Sequence, residues 1–418
     1  MRILLSVIVL FLSTVSLHAG DWTEFRGPTG QGHAAETNLP VSWSATENVV
    51  WKTPIDGLGW SSPIILGGQI YVTTAVSDKG VRDPQQSLRA VCLSEETGEV
   101  LWDVEVFSQE SAGGAADRVH SKNSQASPTP ITDGKHIFVH FGTRGTAALT
   151  TTGEIVWKNQ ELQYAPVHGN GGSPILVGDN LVMSCDGGDI DFIAAINKNT
   201  GKVTWKTDRT IPSIPKKFAF GTPLLIEVDG KQQIISQASG FVYSYDVDGK
   251  LIWKVDYNGG YSVIPRPVFA HGLVFVSSSY DSPVLYAIDP NGTGDVTDSH
   301  VRWTLKKGAP HTPSPLVVGN EVYVVSDKGI ATCCDAKTGE VHWQERIGGN
   351  YSASPLAADG KIYIQAEDGE TIIIKSGTTF EEVGRNKLEP RTFACYAVSG
   401  KSLFIRTENQ LYRIAEAD

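Results

Sequence analysis

The sequence predicts an all-β fold: an eight-bladed propeller of four-stranded antiparallel blades, its ring closed by an N-terminal strand that completes the C-terminal blade. Three observations carry that prediction. A strand–turn–strand segment, Cys333-Cys334-Asp335-Ala336-Lys337-Thr338-Gly339-Glu340-Val341-His342-Trp343, recurs at residues 92–102, 147–157, 195–205 and, with Asp-Gly at the turn, 243–253. Seven of the ten tryptophans, Trp51, Trp102, Trp157, Trp205, Trp253, Trp303 and Trp343, share one slot of this repeat, which random placement would not produce. The chain ends also hold complementary fractions of a unit. Internal repetition at this scale means stacked units in one body, however long the chain.

In chain order, Arg2, the apolar run 3–12 and the small residue Ala19 read as a secretory signal peptide over residues 1–19, cut near Ala19. The run is short for a membrane span, and no cysteine near the cut offers a site for a lipid anchor. Residues 20–46 form an N-terminal extension with Trp22, Phe25 and Trp43 as packing anchors. The propeller occupies residues 47–418. Its first strand, Asn48-Val49-Val50-Trp51-Lys52, has the repeat's tryptophan but no preceding turn.

Seven units then open on proline-marked strands: Ser62-Pro63, Ser127-Pro128, Ser173-Pro174, Thr222-Pro223, Arg266-Pro267, Ser314-Pro315 and Ser354-Pro355. Tight turns follow, such as Gly67-Gly68 or Asp359-Gly360, then alternating strands such as Glu321-Val322-Tyr323-Val324-Val325. Near Glu382-Val383 the outer-strand tryptophan is lost. Three strands remain, around Phe393, Leu403 and Leu411, and the strand at Trp51 supplies the fourth. Each indole fills the gap between neighbouring blades. Burial of its roughly 150–250 Å² is worth at most about 4–6 kcal/mol.

The formal charge is -11 with no block of Lys and Arg, which argues against nucleic acid and anionic membrane as partners. Five cysteines, irregularly spaced, read as small buried hydrophobes. Cys333 and Cys334 point to opposite faces of one strand, so a bridge between them needs a distorted backbone.

The segment Ala195-Ile196-Asn197-Lys198-Asn199-Thr200-Gly201-Lys202-Val203-Thr204-Trp205 resembles the tryptophan docking motif of PQQ-like β-propellers. That superfamily includes quinoprotein dehydrogenases and the outer-membrane assembly scaffold BamB. The stretches Trp22-Thr23-Glu24-Phe25-Arg26-Gly27-Pro28 and His168-Gly169-Asn170-Gly171-Gly172-Ser173-Pro174 resemble a secreted bacterial subgroup of it. The likeness covers residues 47–418 and implies an exported propeller without implying one activity.

In such a propeller the loops entering each innermost strand share a face with those joining second to third strands. That rim is expected to hold the ligand-binding residues Trp60, Arg118, His120, Lys122, Asn123, His168, Asn170, Lys216, Lys217, Tyr261, Arg266, His311, Tyr351 and Arg391. Arg266 replaces the Ser or Thr of the other units, and its guanidinium is expected at the channel mouth, ready to grip a carboxylate; pairing with an acid such as Asp281 is the plainer alternative. Together these cations, amides and aromatics suit an anionic or sugar-like ligand.

Two acidic clusters invite a metal reading. The loop Asp186-Gly187-Gly188-Asp189-Ile190-Asp191 matches no defined calcium loop and reads as a solvated turn. Asp289-Pro290-Asn291-Gly292-Thr293-Gly294-Asp295 starts like an EF-hand loop, but His300 stands where a bidentate Glu is needed, so it reads as a decorated hairpin. Signatures for nucleophilic catalysis and zinc are absent. No metal site and no catalytic set are expected, and no cofactor is assigned.

The sequence therefore favours a monomeric, non-catalytic binding or scaffold propeller of the cell envelope, periplasmic or secreted and BamB-like in logic. Its partner would be an envelope protein or a small polar or anionic ligand. The alternative is a dehydrogenase acting on alcohols or sugars with PQQ and calcium.

Overall fold

The computed structural model describes residues 20–80, 83, 85–109, 119–210, 216–257 and 259–416. The expected signal peptide and Arg118 lie outside them. Eight antiparallel sheets form the ring. Blades one to seven begin at the inner strands Ile64–Leu66, Ile131–Thr132, Ile175–Val177, Leu224–Val228, Val268–Ala270, Leu316–Val318 and Leu356–Ala358. The eighth joins Ala397–Ser399, Ser402–Arg406 and Gln410–Ile414 to the N-terminal strand Val49–Pro54. That last pairing is antiparallel, with Trp51 opposite Arg413 and Pro54 opposite Gln410, and it closes the ring as expected.

Burial explains the strand sequences. Second strands such as Leu273–Ser277 are buried along their whole length, because both faces pack on neighbouring blades. Outer strands such as Val203–Asp208 alternate between half-buried and exposed residues, giving the period-two pattern. Between blades, the indole N–H of Trp102 donates to Thr151 O (2.9 Å), that of Trp157 to Lys198 O (2.8 Å), and that of Trp205 to Val247 O (3.2 Å). Each ring lies against the turn glycine of the next blade. A Cβ on Gly153, Gly201 or Gly249 would stand 2.5–2.9 Å from it.

Trp253 departs from this pattern. Its N–H donates to Gln233 Oε1 within its own blade, at 2.9 Å. The reason is the decorated hairpin: Gly294–Asp295 pairs in parallel with Leu251–Asp256 as a fifth strand of blade four. Asp289 and Asp295 turn to Arg302, Asn291 and Thr297 of the same hairpin.

Two sequence expectations are corrected. In blade two, Thr129-Pro130 enters the inner strand, two residues beyond Ser127-Pro128. The loop at Asp186 is no solvated turn either. Asp186 is fully buried in an ion pair with Arg209, and the nearly buried Asp191 meets Lys217 at 3.3 Å. All five cysteines are buried and free.

The N-terminal extension crosses one end of the channel. Trp22 pairs with Ile65 of blade one, and Thr132 of blade two donates to Thr23 O. On the far side, Ala34 N donates to Ala357 O of blade seven, Ala357 N donates to Gly32 O, and Trp43 N donates to Asn386 Oδ1 at 2.9 Å. Trp22 and Trp43 are buried anchors, whereas Phe25 faces the channel. The extension turns a pore into a cup.

Candidate functional site

The cup holds a cavity of about 320 Å³ on the face where entry loops meet second-to-third-strand loops. Its base is built from the residue two positions before each inner strand. Ser62 N donates to Thr129 Oγ1, Thr129 N to Ser173 Oγ, and Ser173 N to Thr222 Oγ1. Round the other side, Arg266 N donates to Ser314 Oγ, Ser314 N to Ser354 Oγ, Ser354 N to Cys395 Sγ, and Cys395 N to Ser62 Oγ. This is a hydrogen-bonded girdle of eight blades with one missing link, at Arg266, which has no hydroxyl to offer Thr222. Proline follows most of these residues because the inner-edge strand needs no N–H there.

Aromatic rings form the wall above. Trp60 and Phe393 meet edge to face at 4.6 Å, with the Arg391 guanidinium 5.9 and 5.6 Å from their centroids. A second arc runs through His120, His168, Phe218, Tyr261, Tyr280 and His311, with successive centroids 4.6–6.0 Å apart. His168 holds this arc with a left-handed backbone, φ +69°. Burial, then the neighbouring His120, lowers its pKa. Lys122 reaches from blade two across the mouth to Glu367 of blade seven, at 2.6 Å.

Trp60, His120, Lys122, Asn123, His168 and Tyr261 line the cavity. Arg391 and His311 flank it, paired with Glu408 (2.7 Å) and Asp327 (3.4 Å). Lys216 donates to Tyr261 Oη, and that phenol donates to Asp281. Three expected rim residues are elsewhere. Asn170 is buried, donating to Gln125 and Phe141 O. Tyr351 is wholly buried in the core between blades six and seven.

Arg266 is the third. It turns away from the mouth toward the extension, donating to Pro223 O, Phe25 O and, at 2.8 Å, Glu24 Oε2. Burial raises the Glu24 pKa and Arg266 opposes that rise. The partner is therefore an acid 242 residues away rather than Asp281.

Sequence reasoning missed two further arginines. Arg26 is 1% exposed, donates once, to Pro315 O at 2.8 Å, and leaves Nε and Nη1 without partners. Arg406 is equally buried, holds Ser61, and leaves Nε unpartnered. Among the described residues neither has a carboxylate partner, and burial lowers both pKa values to about 9. No local motif announces them, since isolated arginines normally lie at the surface. The girdle hydroxyls were visible as the recurrent Ser/Thr-Pro, but as strand markers only.

The chain matches the profile of a family described as outer membrane protein assembly factor BamB over residues 45–214 and 284–382, more than half its length. No curated protein matches the sequence. Among solved structures, BamB from Moraxella catarrhalis superposes with TM-score 0.59 at 13% identity, covering 88% of this chain and 97% of that one. A europium-containing methanol dehydrogenase gives 0.58 at 12% identity, covering 95% and 98%. A quinohaemoprotein alcohol dehydrogenase from Pseudomonas putida HK5 gives 0.54 at 14% identity, covering 96% and 81%. These likenesses speak for the fold. With its eight closed blades and its profile match, the chain belongs to the PQQ-like β-propeller family of BamB.

Proposed function

We propose that this protein is an exported binding propeller of the cell envelope, BamB-like in being non-catalytic, which takes a small polar ligand into the mouth of its central channel. The observation that carries the reading is the cavity itself. It is closed at one end, walled by Trp60, Phe218, Tyr261, Tyr280 and Phe393, and floored by hydroxyls. Apolar walls with a few convergent polar groups are the usual make-up of a small-molecule site. Export rests on the N-terminal sequence; no described helix is long and apolar enough to cross a membrane.

A PQQ and calcium dehydrogenase is the competing reading, and the residues do not fit that pair. Among the described residues no Asp or Glu lines the cavity, and no group of three metal-binding side chains occurs. Calcium takes six to eight oxygen ligands, carboxylates foremost. The test is a titration with PQQ, with and without calcium, beside glucose and glucuronate, followed by tryptophan fluorescence. The reading predicts saturable, calcium-independent binding of a sugar-type ligand. A stoichiometric quinone complex that requires calcium would overturn it.

A further inference from the structure

We infer that the base of the cavity is an oxyanion receptor: the girdle hydroxyls donate to the carboxylate, sulfate or phosphate group of a ring-bearing ligand whose body rests on the aromatic wall. This rests on the cavity being a ligand site and names what that site selects.

A hydroxyl has one proton to donate and two lone pairs to offer. Thr129, Ser173 and Thr222 each accept a backbone N–H from the preceding blade, and Ser314 accepts from Arg266 N and the Ser354 hydroxyl. None of the four donates to any described acceptor. All four are buried and all line the cavity. Their donors are thus held in place by the girdle and left for whatever occupies the base. A buried donor without an acceptor costs about 1–3 kcal/mol.

Charge points the same way. Beneath the girdle lie the guanidinium of Arg26, with two nitrogens unpartnered among the described residues, and that of Arg266, which pairs with Glu24. Arg26 is bonded to Pro315 O, the residue after girdle Ser314, so it sits directly under the ring. Its charge acts on Cys395, the girdle member of blade eight. Buried charges are normally paired, and among the described residues no carboxylate lines the cavity. A neutral sugar hydroxyl would bring its own proton to a base already rich in donors. An oxyanion only accepts, and accepts more strongly.

The probe is glucuronate against its methyl ester, which keeps the ring and removes the charge, with glucose as a third ligand. Calorimetric titration at constant ionic strength is expected to show glucuronate binding at least about tenfold tighter than either neutral compound, the effect of one charge-assisted hydrogen bond. Inorganic sulfate should compete with it. Ser173→Ala and Thr222→Val should each weaken glucuronate roughly tenfold, with Thr222→Ser restoring it. The wild-type comparison needs no variant to fold. Equal affinity for glucuronate and its ester would overturn the oxyanion base while leaving a sugar-binding cavity standing. Binding of none of the three, with no sulfate binding either, would overturn both.

Discussion

Replacing Gly249 by Ala tests how the blades hold together. Gly249 lies in the turn of blade four at φ +81°, and a Cβ there would stand 2.5 Å from Cε3 and 2.7 Å from Cδ2 of Trp205 in blade three. The left-handed backbone alone costs an alanine about 1–2 kcal/mol. The indole must also slide away. That gives up its N–H bond to Val247 O, worth about 1 kcal/mol. With it go about 50–75 Å² of apolar burial, worth about 1–2 kcal/mol. The sum is about 3–5 kcal/mol. Gly272→Ala is the control: φ is +72°, but nothing lies within 4 Å of its Cβ, so only the backbone cost of about 1–2 kcal/mol applies. Urea unfolding followed by tryptophan fluorescence and circular dichroism measures both. In a Trp205→Ala background the cost of Gly249→Ala should fall to that of the control. Equal effects of the two glycine substitutions, or no change in that background, would refute the stacking argument.

Three further outcomes follow from the buried groups and the closure. His140 is wholly buried, its Nδ1 2.8 Å from the Thr146 hydroxyl, and burial lowers its pKa to about 4. The unfolded chain takes up that proton near pH 6.5 and the folded chain only near 4. Stability should therefore fall as pH drops through this window, by about 3 kcal/mol in total, and His140→Gln should flatten that part of the urea-midpoint profile. Glu24→Gln leaves buried Arg266 unpaired and should cost about 3–5 kcal/mol. The double variant Glu24→Gln/Arg266→Ser, which restores a girdle hydroxyl, should recover most of it in the same unfolding assay. A chain lacking residues 21–54 loses the plug and the closing strand, and its thermal transition should drop or broaden markedly; an unchanged transition would contradict closure.

The architecture was legible because it is written in repetition. One tryptophan slot, one Gly turn and one proline-marked strand recur, and each recurrence confirms the others. Closure was legible because Trp51 lacked a turn and the C-terminal unit lacked a strand. Rim positions followed from topology, which is why Trp60, His168 and Tyr261 were found. Orientation was not legible. Arg266 sits in register at the girdle, yet its side chain goes down to Glu24, because the extension's path across the channel is recorded in no repeat. Arg26 escaped for the same reason. Asp186 read as solvated because Arg209, 23 residues later, is brought to it only by the fold. Blade two was misplaced by one dipeptide because Ser127-Pro128-Thr129-Pro130 offers two equivalent starts.

The claim that the channel cup is the binding site is tested most directly by hydrogen exchange, resolved by mass spectrometry, with and without saturating glucuronate. The account predicts slowed exchange in the entry loops at residues 120–129, 168–173, 218–222 and 261–264, with the outer strands at Trp102, Trp205 and Trp303 unchanged. Protection on the outer strands, or binding without protection of those loops, would contradict it.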